Sequence, residues 1–288
     1  MISRPLAAAV LGLCGLGAVA CGGTASSDAD ATAPKAAQNT GPEAAGTVSQ
    51  VSARTAGTPA AKAKPPAAAK PLAGKVIVID PGHNGGNYRH PEIINKQVNV
   101  LTQWKACDTT GTSTNDGYSE AAFTWDVSNR LAKDLRAAGA TVKLTRKDNT
   151  SVGPCITERA AIGNHAKADA AISIHGDGAP AGGHGFHVII PKKINGPVDP
   201  VVDDSRRLGL LIRNAYHTGT GVPYSTYIGK NALDVRDDLG GLNLSKVPKV
   251  FIECGNMRNA GDAAKMKDPR FRQHVADSLA KAFQAYLT

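Results

Sequence analysis

Three apolar runs set the pattern of the second part of this 288-residue chain. Residues 76–79 (Val-Ile-Val-Ile), 170–174 (Ala-Ala-Ile-Ser-Ile) and 250–252 (Val-Phe-Ile) are short and mostly β-branched. Such runs read as strands buried on both faces of a parallel sheet. Each stops at a residue able to carry chemistry. The first gives way to Asp80-Pro81-Gly82, turn residues that present His83; the second ends on His175, the third on Glu253. Ligands of open α/β sheets bind at the carboxyl ends of the strands. If the three strands are parallel neighbours, all three side chains therefore meet at one edge.

Between these runs the periodicity changes from two to nearly four. Phe123, Val127, Leu131 and Leu135 recur at steps of four behind a Ser119 cap, and Phe271, Val275, Leu279 and Phe283 repeat the spacing in a closing helix over residues 270–287. Further helices are expected over 157–167 and 204–217, and strands over 140–145 and 185–190. Partial alternation in residues 97–104 suggests a strand or hairpin lying over the site edge, and residues 224–242 read as a loop-rich segment. Strands alternating with helices predict a parallel or mainly parallel sheet with helices on both faces, an α/β fold.

The front of the chain has a different pattern. In residues 1–21, Arg4, an apolar stretch and Ala18-Val19-Ala20 form an export signal whose core is too short to span a bilayer. Cys21 follows and is trailed by two glycines, as in a bacterial lipoprotein signal that acylates this cysteine; plain cleavage after Ala-x-Ala is the alternative. Either predicts a protein outside the cytoplasm, in the cell envelope. Residues 22–73 are rich in Ala, Pro, Thr, Ser and Lys, with no aromatic residue and no apolar period, and predict a tether. The remaining 74–288 are one ordinary domain.

Arg4 and a net two positive charges in the tether leave +6 of the chain's +9 for that domain. A basic exported domain suits acidic envelope polymers, and with no aromatic-basic stripe nucleic acid is not an expected partner. A monomer is expected. Of the five cysteines, Cys14 leaves with the signal. In an oxidising compartment Cys107 and Cys155, both in loop sequence, are the natural disulfide pair, whereas Cys254 ends a buried strand. A closed loop of about 48 residues contributes roughly 3 to 5 kcal/mol in the chain-entropy model.

Glu120 lies three residues before Phe123, on the buried face of its helix. It either complements the helix dipole, as first-turn glutamates do, or turns toward His83. In the second case His83, Glu120 and His175 form a His2Glu set, the ligand type of catalytic zinc sites that keep a fourth position for water. Glu253, beside that set, is then the proton acceptor. Cys254 points away from Glu253 because neighbouring strand residues face opposite sides. His184, close to the glycine-rich loop 176–183, and Trp104, in the segment over the site edge, are the candidate substrate contacts.

The segments VIVIDPGHNGG, SEAAFTWDVSNRLAKDLRAAGATVKLTR, ITERAAIGNHAKADAAISIHGDGA and KVPKVFIECGNMRN resemble the successive motifs of the zinc-dependent N-acetylmuramoyl-L-alanine amidases, type-3 catalytic domain. The resemblance covers residues 74–288. It implies a mainly parallel six-stranded sheet, one Zn2+ per domain on His83, Glu120 and His175, Glu253 as catalytic glutamate, and peptidoglycan or muropeptides as substrate. Glu120 follows His83 by 37 residues, longer than the family's usual spacing, so residues 84–118 are an insertion. No extra apolar helix of the kind that occludes regulated members lies between Gly185 and Glu253, and no wall-binding repeat is present. A catalytically silent envelope-binding protein would be expected to lose a ligand or the acid. A zinc deacetylase or carboxypeptidase would keep the ligands and change the bond.

Overall fold

The computed structural model describes residues 70–288; the export signal, Cys21 and almost all of the predicted tether lie outside the described residues. In chain order the elements are β1 (Val76–Pro81), α1 (Pro91–Ile94), β2 (Gln97–Asn99), β3 (Trp104–Ala106), α2 (Glu120–Ala137), β4 (Thr141–Leu144), α3 (Ile156–His165), β5 (Ala170–Asp177), β6 (His187–Pro191), α4 (Val202–Thr220), β7 (Leu233–Arg236), α5 (Gly240–Asn243), β8 (Lys249–Asn256), α6 (Ala260–Lys267) and α7 (Pro269–Leu287).

Six strands form one sheet in the order β4-β1-β5-β8-β6-β7. Every neighbouring pair is parallel except β6 and β8. The three chemistry-bearing strands β1, β5 and β8 are consecutive and parallel, the condition under which their side chains meet at one edge.

Paired residues in register share a face of the sheet. Asp80 pairs with Ser173, Ser173 with Phe251, His175 with Glu253, and Glu253 with His187. These side chains share one face. The other face carries Ile77, Ile79, Ile172, Ile174, Val250, Ile252 and Val188, all buried in the main core. Against it pack the apolar stripes of α2 (Phe123, Val127, Leu131), α4 (Leu208, Ile212, Tyr216) and α7 (Val275, Leu279, Phe283). Burying a side chain of this size stabilises by about 1.5 to 3 kcal/mol, so this layer holds the domain together. The polar face is covered only in part. Val78, Ala168, Ala171 and Val247, with Ile162 of α3 beside them, form a small second cluster. Beyond it, toward the carboxyl ends of β1, β5 and β8, the face opens into a cleft.

The structure departs from the sequence pattern in four places. Asp80 and Pro81 belong to β1, since Gly82 N still donates to Ile174 O at 2.9 Å. β5 and β8 run past His175 and Glu253, because pairing resumes between Asp177 and Asn256 after a bulge; glycines at 176 and 255 hide that extension. β7 lies in the stretch that reads as loop. It is a four-residue edge strand containing Asp234 and Arg236, residue types that blunt an edge and erase the strand signal. α6 adds eight residues, capped by the Asn259 side chain, which accepts from the backbone N–H groups of Gly261 and Asp262. Residues 97–106 form the expected hairpin, as a separate two-stranded sheet.

Candidate active site

His83 stands one residue beyond the Gly82 turn, with its backbone in the left-handed region at φ 56°. Non-glycine residues held there cost roughly 1 to 3 kcal/mol and cluster at functional sites. Its Nε2 lies 3.3 Å from Glu120 Oε2, and Glu120 Oε1 lies 2.8 Å from His175 Nδ1. Glu120 opens α2, where Ser119 accepts from Ala122 N as cap. Its carboxylate also accepts from the Thr112 and Gly176 backbone N–H groups at 2.9 and 3.2 Å. The two imidazoles meet edge to face at 4.9 Å, and His175 stacks on Phe251 at 3.9 Å.

The ligand atoms of His83, Glu120 and His175 all fall within 4.8 Å of one another. Two glycines permit this closeness. A Cβ on Gly82 would sit 2.2 Å from the His175 ring, and one on Gly111, at φ +74°, would sit 2.7 Å from His83 and 2.8 Å from Glu120.

The electrostatics of the cluster favour a cation. Burial by itself would lower the His83 pKa, but the Glu120 charge and the Asp108 hydrogen bond outweigh it and push the pKa up to about 10. Burial would likewise raise that of Glu120, yet the facing imidazoles hold it well below the usual carboxylate range. Two imidazoles and one carboxylate are the donor set of zinc sites that keep an open position, so the residues present fit such an ion.

Glu253 borders the cluster. Burial, followed by the charges of Glu120 and Asp177, raises its pKa well above the ordinary value. Its Oε2 is buried with no hydrogen-bond partner. Unpaired buried carboxylate oxygens are costly and call for a ligand or a proton. The cleft above has a volume of about 540 Å³ and is walled by Lys105 and Ala106 of β3, Asp177, Asp238 and residues 239–241.

Trp104 is 65 % exposed on β3; its neighbours Lys105 and Ala106, not its indole, line the cleft. His184 is half-buried, its backbone N–H donating to Thr226 Oγ1, and it is not among the lining residues. Cys107 and Cys155 are joined by a disulfide. Cys254 is free and buried in the main core, on the face opposite the cleft.

Beneath the cluster lies a buried polar network that sequence reading missed. Asp80 Oδ1 accepts from Thr145 and Arg159, and its Oδ2 accepts from Ser173 and Lys249, at 2.6 to 3.0 Å. Burial alone would raise the Asp80 pKa, but Lys249 and Arg159 hold it well below the usual range. In the sequence Asp80 is a turn residue before Pro81. Only Lys249, a charge opening an apolar run, signals that a partner is needed.

Two imidazoles and two carboxylates thus gather at the carboxyl edge of a mainly parallel sheet, an α/β domain with a three-residue group that could hold a metal ion. The chain belongs to the N-acetylmuramoyl-L-alanine amidase family, whose profile (Amidase_3) matches residues 77–285. It is 38 % identical over 225 residues to an N-acetylmuramoyl-L-alanine amidase of Mycobacterium tuberculosis, a match covering 77 % of this chain and 90 % of that protein. Crystal structures of N-acetylmuramyl-L-alanine amidases from Mycobacterium smegmatis and Mycobacterium abscessus superpose with TM-scores of 0.71 and 0.70. They share 38 % and 41 % identity, and each alignment covers 75 % of this chain and 98 % and 100 % of theirs.

Proposed function

We propose that this protein cleaves peptidoglycan at the amide joining the lactyl group of N-acetylmuramic acid to the first L-alanine of the stem peptide, using a zinc ion held by His83, Glu120 and His175. When bound, zinc supplies a Lewis acid and lowers the pKa of a water to about 7. Glu253 accepts the attacking water's proton at its unpaired Oε2 and returns it to the alanine nitrogen as the bond breaks. The Phe251 stack and the Glu120 carboxylate hold the His175 ring, and burial, with the charges of Glu120 and Asp177, keeps Glu253 avid for a proton. The observation that carries this reading is the orphaned Glu253 oxygen beside three clustered ligand atoms, in a member of the amidase family.

Mass spectrometry of muropeptides treated with the purified protein tests it. Amidase action yields stem peptides with a free L-alanine amine and glycan with a free lactyl carboxylate. A deacetylase would remove acetyl groups, a carboxypeptidase would shorten the peptide from its carboxyl end, and a silent binding protein would leave the digest unchanged; any of these sinks the proposal.

We further propose an exported, monomeric protein acting in the envelope and anchored through acylated Cys21, with Trp104 and His184 meeting the parts of the substrate beyond the cleft. No helix among the described residues is long and apolar enough to cross a membrane. Transfer of a Cys21→Ser protein from the membrane to the soluble fraction is the expected result for the anchor; unchanged partition would remove it.

A further inference from the structure

We infer that Asp108, carried by the 84–118 insertion, is the positioning residue of the metal centre: it locks the His83 ring so that Nε2 is the nitrogen offered to the ion. The inference rests on the zinc reading above. Asp108 is 5 % exposed. Its Oδ1 lies 3.0 Å from His83 Nδ1, and its Oδ2 accepts from Arg159 Nη2 at 3.0 Å. The same Arg159 nitrogen donates to the His83 carbonyl oxygen at 2.9 Å. Asp108 and Arg159 together therefore hold both the ring and the left-handed backbone of His83.

The chemistry follows from the tautomer. The Thr109 carbonyl also lies 3.1 Å from His83 Nδ1, and an atom facing a carboxylate and a carbonyl carries the proton. Nε2, which faces Glu120 Oε2, is then the nitrogen whose lone pair would be given to a bound ion. A carboxylate behind a ligating imidazole fixes its orientation and raises its basicity.

Asp108 is itself held from both sides. Its backbone N–H donates to Ile94 O at 3.1 Å, and the Cys107 carbonyl accepts from Ile156 N at 2.8 Å. Cys107 is disulfide-bonded to Cys155, the residue that opens α3 and accepts from Arg159 N at 3.0 Å. The disulfide thus joins the segment bearing Asp108 to the helix bearing Arg159. This assigns the insertion a purpose: it delivers a partner for the metal-facing histidine.

The alternative is that Asp108 only neutralises Arg159. Zinc affinity separates the two, measured by competition with a chromophoric chelator on the full-length protein, alongside the zinc-free melting temperature. Asp108→Ala is expected to weaken zinc binding about 10- to 100-fold. Asp108→Asn keeps the shape and an acceptor for His83 Nδ1 while removing the charge, and is expected to bind zinc more weakly than wild type but more tightly than the alanine variant. Should Asp108→Ala not fold, the isosteric asparagine variant decides alone. A folded Asp108→Asn protein with wild-type zinc affinity and only a lowered melting temperature overturns the inference. A wild-type protein that takes up no zinc would instead defeat the zinc reading itself.

Discussion

Glu253 and Gly111 show how much of the site rests on single side chains. Glu253→Gln keeps shape and a hydrogen-bonding oxygen but removes the base. It is expected to hold zinc and fold normally while losing roughly two to four orders of magnitude in turnover; near-normal muropeptide turnover in a zinc-loaded variant would move proton transfer to another residue. His175→Ala should leave the purified protein without its zinc complement, which elemental analysis reads directly. Gly111→Ala tests the crowding. Its Cβ would meet His83 and Glu120 well inside contact distance at a positive φ, so weaker zinc binding is expected with the main core, on the other face of the sheet, untouched. The grouping of His83, Glu120, His175 and Glu253 was legible in the sequence because three of them follow apolar runs and Glu120 opens a periodic helix, although β5 and β8 continue past His175 and Glu253. Asp108 was not, because its partners His83 and Arg159 are 25 and 51 residues away and no period marks the loop between them.

At the scale of elements, the apolar stripes of α2 and α7 were readable because burial on one side of a helix imposes a step of nearly four. The short edge strand β7 carried no such mark, and nothing in residues 185–190 betrays that β6 runs against β8. The insertion reads as a polar excursion, yet the disulfide closes it onto α3. Replacing Cys107 and Cys155 together with serine should lower unfolding stability by roughly 3 to 5 kcal/mol, measured by denaturant unfolding. A change below about 1 kcal/mol would mean that the neighbouring backbone bonds already hold the loop. On the β2–β3 hairpin, Trp104→Ala should leave stability unchanged, since the indole is 65 % exposed. If Trp104 meets glycan, KM should rise for substrates with long glycan and stay constant for short muropeptides; equal KM on both leaves the indole without that role.

For the whole molecule, Asp80 is the joint between layers, linking β1 to Thr145 beyond β4, to Arg159 of α3, to Ser173 of β5 and to Lys249 of β8. Removing one partner of such a buried network costs about 3 to 5 kcal/mol, the loss expected for Asp80→Asn near neutral pH. The sign of its pH dependence follows from the depressed pKa. A carboxyl held below its unfolded value contributes stability that is complete above that unfolded value and is lost as pH falls through the folded one. The gap between wild type and Asp80→Asn in urea unfolding should therefore be wide at neutral pH and narrow under strong acid. A gap that does not change with pH would show that Asp80 acts through shape alone.

Local pattern determined the alternation of most strands and helices, the single catalytic domain and the apolar runs that lead to His83, His175 and Glu253, because burial imposes a period on a contiguous segment. The tertiary structure alone decided which face of the sheet holds the cleft, which strand runs backwards, and that Asp80 and Asp108 make buried polar contacts next to the site. Those contacts join residues as much as 169 positions apart, as between Asp80 and Lys249. A hydrogen bond made across such a distance imposes no period on the chain around either partner, and only the packing of the layers brings the two together.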